Sequence, residues 1–139
     1  MIHTAASVED TRRFGSRVAA IAVPDDVFAL DGDLGTGKTE FVRGFVGALA
    51  PAVIVRSPSF ALVHRYVTPA FPVFHFDFYR LSDVSELIEI GFEEYLSGNG
   101  VCIIEWATMF TDALPAATRY IRFRDRGISL REIEYDFKI

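Results

Sequence analysis

A chain of 139 residues, half of them hydrophobic and 13 of them Phe, has the material for one domain with a full core, burying about two-thirds of its unfolded surface. Its formal net charge of −5 is the wrong sign for gripping a nucleic acid, so any such role needs a partner to hold the polyanion. The single cysteine, Cys102, excludes an internal disulfide and a cysteine metal cluster, and the longest apolar run, Phe45–Val55, is broken by Gly47 and Pro51 and too short to span a membrane.

Met1–Asp10 has neither the basic start nor the apolar stretch of a signal peptide, so a cytoplasmic location is expected. Ser7, with the acid Asp10 three residues on, predicts a helix start, and the helix runs to about Ala22 with Phe14, Val18 and Ile21 on one face. Thr11 falls in its first turn and points toward whatever lies beyond the helix start. Pro24-Asp25-Asp26 turns the chain into an apolar strand, Val27–Asp31.

Gly32-Asp33-Leu34-Gly35-Thr36-Gly37-Lys38-Thr39 follows that strand and fits G-x-x-x-x-G-K-[ST], the P-loop. Phe41, Val42, Phe45, Val46 and Leu49 then repeat with helical spacing, which completes the strand–loop–helix context the motif requires. Three glycines open backbone angles closed to other residues. Main-chain amides from Leu34 through Gly35, Thr36, Gly37, Lys38 and Thr39 can then surround a triphosphate at the positive end of the helix dipole. Lys38 brings a mobile charge to the outer phosphates, and the Thr39 hydroxyl can join the shell of a Mg²⁺ ion. The alternative, a glycine-rich surface turn, leaves the flanking pattern unexplained.

The helix is expected to end near Ala50-Pro51, followed by a short strand at Val53-Ile54-Val55. Ser57-Pro58-Ser59-Phe60 reads as a hydroxyl-rich loop, Ala61–Val67 as a strand, and Thr68–Pro72 as a turn. Val73–Tyr79 alternates as a strand, with His75, Asp77 and Tyr79 on one side and Phe74, Phe76 and Phe78 on the other. Asp83–Ile90 and Phe92–Leu96 look helical, joined at Gly91. Val101–Trp106 is a continuous apolar strand ending in acid, with Cys102 as an inert buried thiol, and Met109–Leu114 is a helical turn. Tyr120–Arg124 and Ser129–Phe137 form a hairpin about Asp125-Arg126-Gly127, with Arg122 and Arg124 facing Glu132, Glu134 and Asp136.

These elements predict a three-layer α/β fold of P-loop NTPase type around a mixed parallel and antiparallel central sheet, as one domain over 1–139. The nucleotide is expected at the carboxyl ends of its parallel strands. A P-loop site also needs a strand-end carboxylate near the metal and the attacking nucleophile. Glu105 has the usual form, an apolar strand followed by an acid, against the alternative of a surface strand end. Asp77, on the His75 side of an aromatic strand, is either the second acid or a structural hydrogen-bond acceptor. His75 reads as a packed or hydrogen-bonded core histidine, while His3 and His64 carry no signal. Trp106 is either a cap on the core or an exposed aromatic for a partner.

Beyond the P-loop, Ser57-Pro58-Ser59-Phe60, His75-Phe76-Asp77-Phe78-Tyr79-Arg80, Glu94-Tyr95-Leu96 and Ile104-Glu105-Trp106 occur in that order. Over roughly Ser7 to Leu114 the chain resembles the bacterial tRNA threonylcarbamoyladenosine biosynthesis ATPase family, TsaE. The resemblance implies an ATP-binding, ATP-hydrolysing subunit that supports threonylcarbamoyl modification of the tRNA adenosine beside the anticodon. It implies TsaB-like and TsaD-like partners, with the TsaD-like protein transferring the group and tRNA engaged only through the complex. It places Thr39 and Glu105 at Mg²⁺, Asp77 near the phosphates or the attacking water, and Thr11 near the nucleotide; Lys38, Asp77 and Glu105 are the expected catalytic set. The chain departs from the family at Ser59 and Glu40, both commonly Thr. An acid at Glu40 is expected to lower nucleotide affinity. The hairpin matches least, with Arg126 or Gly127 as the guessed nucleotide contact.

Three rival readings remain. Guanine selectivity in GTPases uses N-K-x-D, yet the only asparagine, Asn99, precedes Gly100. A small-molecule kinase needs an acceptor pocket and an arginine-bearing lid, for which the chain leaves little room. A non-catalytic nucleotide-sensing docking subunit would use the segment Ser57–Phe60 as its switch.

Overall fold

The apolar runs become the centre of one seven-stranded sheet in the computed structural model, which describes residues 1–139. Strand β2 (Val27–Asp31) pairs in parallel with β5 (Val101–Glu105) on one side and β6 (Arg119–Asp125) on the other, and β4 (Val73–Asp77) lies parallel to β5. The edges are antiparallel: β3 (Val63–Tyr66) on β4, β7 (Arg131–Tyr135) on β6, and β1 (Ile2–Ala5) on β7, giving the order β1-β7-β6-β2-β5-β4-β3. Every residue of β4 and β5 is buried, as expected of parallel strands covered on both faces.

Two separate cores make the layers. Phe14 and Val18 of α1 (Val8–Ile21) and Phe41, Phe45 and Val46 of α2 (Lys38–Leu49) pack on Phe28, Leu30, Ile103 and Ile121. On the opposite face, Leu87 of α3 (Ser85–Glu89) and Phe92 of α4 (Phe92–Leu96) pack on Ala29, Phe74, Phe76, Phe78 and Ile104. The three-layer mixed α/β fold expected from the pattern is the fold observed, and no helix is long and apolar enough to cross a membrane.

Ser7 caps α1 by accepting from the Asp10 amide at 3.1 Å. Gly91, at φ +73°, separates α3 from α4. Three details differ from the sequence reading. Val53–Val55 is not a strand: Val55 inserts into the core while Ile54 is 72% exposed, so the run packs as a loop. Strand β1, unanticipated, joins the far edge by pairing with β7. Arg122 turns to Asp31, 3.2 Å away, because β6 runs beside β2 in a register that aligns these two residues; Arg124 does face Glu132 and Glu134, at 3.4 and 3.3 Å.

Helices α1 and α2 meet backbone to backbone. A Cβ on Gly15 would stand 2.2 Å from the Phe41 carbonyl oxygen, and one on Gly44 would stand 1.9 Å from the Arg12 carbonyl oxygen. Alanine in a helix interior normally stabilises by about 1 kcal/mol over glycine; here the helices would have to part. Gly44→Ala is expected to cost about 3 kcal/mol and lower the thermal midpoint by roughly 10 °C. Gly47→Ala, where nothing lies within 4 Å of the added carbon, should leave the midpoint unchanged or raise it. Calorimetric melting of the two variants checks the contrast.

Cys102 is buried, and burial pushes its thiol up to about 12. The thiol therefore stays protonated well above neutral pH, where only the thiolate is nucleophilic. The folded protein is expected to resist iodoacetamide at pH 8, and to take up one label per chain once denatured; mass spectrometry reads both states.

Candidate functional site: the P-loop cleft

The turn out of β2 is shaped by glycine. Gly32 sits at φ +146°, and a Cβ there would meet the Phe123 carbonyl oxygen at 2.6 Å. Gly37, at φ +106°, is the N-cap of α2 and offers no side chain to its amides. The first N–H groups of α2 have no acceptor within the helix, and the cleft is lined by Gly35, Gly37, Lys38 and Thr39 around them. Thr36 instead turns inward, donating its hydroxyl to the Asp33 carbonyl at 2.6 Å.

Lys38 is only 5% exposed. Its ammonium donates to the Gly32 carbonyl and to the Asp33 carbonyl, the latter at 3.2 Å, and lies 3.8 Å from the centre of the Trp106 ring. Burial pulls its pKa down, and the carboxylates of Glu105, Asp31, Asp77 and Asp33 pull it back up. Trp106, at φ +59°, rests against Tyr79 with ring centres 4.8 Å apart. It is therefore a wall of the cleft, where the sequence left open a core cap or a partner contact.

The two candidate acids arrive together. Asp77 and Glu105 are register partners at the carboxyl ends of adjacent parallel strands, and they are 6% and 3% exposed. The Thr39 hydroxyl lies 3.3 and 3.1 Å from the two oxygens of Glu105, and His75 Nε2 lies 2.5 Å from Oε2. Asp77 accepts from the Ser59 hydroxyl at 3.3 Å and from the Tyr79 amide at 2.9 Å. The serine loop is thus tied to the second acid, with the Ser57 and Ser59 hydroxyls 2.8 Å apart. Thr39, Glu105 and Asp77 present only hard oxygen donors, and no three His, Cys, Asp or Glu side chains form a cage. Such a set suits Mg²⁺, which takes one or two protein oxygens and leaves the remaining positions to water and phosphate.

The cleft has a volume of about 560 Å³. Thr11, Leu34, Gly35, Gly37, Lys38, Thr39, Asp77 and Glu105 all line it, while Thr36 does not. Thr11 reaches it because α1 is held so close to α2: its methyl would lie 3.3 Å from a Cβ on Gly37. Glu40 is ion-paired with Arg12, at 2.8 Å, and with Arg43, so its charge is shared with two guanidiniums.

Ser129 and Arg131, which the sequence reading missed, also line the cleft. Arg131 donates from Nη2 to the Gly35 carbonyl at 3.2 Å and from Nη1 to Asp125 at 3.2 Å. Arg126, the expected hairpin contact, pairs instead with Glu132 at 3.2 Å. The alternation of the hairpin revealed its strands; only its place in the sheet reveals which arginine meets the P-loop.

The family model described as threonylcarbamoyl adenosine biosynthesis protein TsaE matches residues 5–133. The chain is 40% identical over 127 residues to the tRNA threonylcarbamoyladenosine biosynthesis protein TsaE of Bacillus subtilis, covering 91% of this chain and 79% of that one. It is 35% identical to the Treponema pallidum TsaE, with 91% and 93% covered. The crystal structure of Bacillus subtilis YdiB superposes with a TM-score of 0.82 at 33% identity, covering 97% of this chain and 83% of the other. A family match across nearly the whole chain and a shared fold agree: the chain belongs to the TsaE family of tRNA threonylcarbamoyladenosine biosynthesis proteins.

Proposed function

We propose that this chain binds ATP with Mg²⁺ in the P-loop cleft, hydrolyses it weakly on its own, and acts with TsaB-like and TsaD-like proteins in threonylcarbamoyl modification of tRNA. The observation that carries this reading is the convergence of Lys38, Thr39, Asp77 and Glu105 on one cleft. In this reading the amides of Gly35 to Thr39 cradle the phosphates, and Lys38 leaves its two carbonyls to meet them. Thr39 and Glu105 would hold Mg²⁺, whose chemistry is to neutralise charge on the β- and γ-phosphates. Asp77 accepts a hydrogen bond from the attacking water and orients it. Thr11 packs against the turn at Gly37 and shapes the nucleotide end of the cleft. Hydrolysis alone is slow because the arginine that reaches the loop, Arg131, spends its donors on Gly35 and Asp125, and an arginine supplied in trans is worth about 10³–10⁵ in rate.

Phosphate release is the deciding measurement, made with and without the two partner proteins. Turnover should be low for the isolated chain and rise, or be coupled to tRNA modification, in the complex. Lys38→Ala and Glu105→Gln should each lower it by roughly 10²-fold or more. Phosphate released without a phosphorylated acceptor separates this reading from a small-molecule kinase; binding without any release would leave a sensing subunit.

Trp106, the only tryptophan, offers an independent readout, because the Lys38 ammonium over its ring has to move toward bound phosphate. ATP is expected to change its emission, and Lys38→Ala to remove most of the change; a full response in that variant would contradict the assigned movement.

A further inference from the structure

His75 is fully buried, and it is absent from the lining of the cleft. It lies behind the wall that Glu105 and Asp77 form. Its Nε2 stands 2.5 Å from Glu105 Oε2. A carboxylate can only accept, so Nε2 carries the hydrogen. The other ring nitrogen, Nδ1, lies 3.3 Å from the Tyr66 hydroxyl. Nδ1 accepts, so the single hydrogen of that hydroxyl is shared between Nδ1 and the Arg56 carbonyl at 3.0 Å, while the oxygen accepts from the Arg56 amide at 3.2 Å. Both ends of the imidazole are held by groups on other strands and loops, so the ring cannot turn without breaking bonds at each.

We propose that His75 is a positioning residue for Glu105: it pins Oε2 and thereby sets the plane of the carboxylate, so that both oxygens stay within 3.1–3.3 Å of the Thr39 hydroxyl and Oε1, which His75 does not engage, is left for the metal. The inference rests on the reading of Glu105 as the magnesium acid. A carboxylate at a strand end has a freely rotating terminal bond. Here the rotation is stopped from behind by a donor that Tyr66 and Arg56 hold in place. Partners of this kind, bonded to a metal ligand and not to the metal, are worth about 10- to 100-fold in metal affinity.

The test is equilibrium binding of a non-hydrolysable ATP analogue by the full chain, across a magnesium titration and in EDTA. His75→Phe keeps a buried ring and removes the donor. It should raise the half-saturating magnesium about tenfold while leaving analogue binding in EDTA unchanged. His75→Gln, whose amide nitrogen reaches the place of Nε2, should recover most of the loss. If His75→Phe does not fold, His75→Asn replaces it, since its shorter amide cannot reach Glu105. A magnesium midpoint within twofold of wild type in the donor-less variant overturns the proposal. So does an equal loss in the Gln variant, which would make the ring a packing group. Glu105→Gln separates the two readings: if it leaves the midpoint unmoved, the metal assignment of Glu105 falls and this inference with it. If Glu105→Gln moves the midpoint and His75→Phe does not, His75 alone falls.

Discussion

Three charged side chains are buried within one site: Lys38, Asp77 and Glu105. Taking even one such group out of water costs several kcal/mol unless it is paired and hydrogen-bonded. The fold meets that cost locally. Thr39 and His75 hold Glu105, Ser59 and the Tyr79 amide hold Asp77, and the carbonyls of Gly32 and Asp33 hold the ammonium of Lys38. One cation beside two carboxylates leaves the cluster electronegative. That imbalance favours an added divalent ion, which is in keeping with the magnesium proposed above.

The rest of the architecture delivers those groups to one place. Parallel pairing of β2, β4 and β5 puts the P-loop and both acids at the same end of the sheet. The glycine-to-backbone docking of α1 on α2 then brings the helix that precedes β2 against the loop. Without that close approach Thr11 would stand off by the thickness of a side chain. The hairpin closes the remaining side, with Arg131 on the carbonyl of Gly35.

Much of this was legible in the sequence, because the P-loop, the Ser7 cap and the apolar strands are local patterns. Asp77 and Glu105 were readable as strand ends, and their alignment followed once β4 and β5 were neighbours. What the sequence hid was non-local. Strand β1 is four residues long and gains its identity only from β7, whose partner residues lie some 130 positions away. Val53–Val55 has strand composition, yet it pairs with no strand of the sheet, and Val55 packs as a lone apolar plug. Arg122 could have faced β7 or β2; the register of β6 beside β2 decided for Asp31. Arg131 was missed for the same reason, since a hairpin's own alternation cannot say which loop it will lie against.

The segment between Val55 and Phe60 connects the two acids by different means. Its first end is anchored five times: Val55 is buried and its carbonyl accepts from Arg43, while the Arg56 amide and carbonyl both bond Tyr66 and the carbonyl also lies 3.1 Å from His64 Nδ1. Toward its far end Pro58 is buried and its carbonyl accepts from the Leu62 amide at 2.8 Å, Ser59 donates to Asp77 at 3.3 Å, and Phe60 is 89% exposed against the Arg80 guanidinium. A single bond to a carboxylate is worth about 1.5–3 kcal/mol, and less at such length. The Arg56 end leads through Tyr66 and His75 to Glu105, and the Ser59 end leads directly to Asp77, so the two acids are supported from opposite ends of one segment.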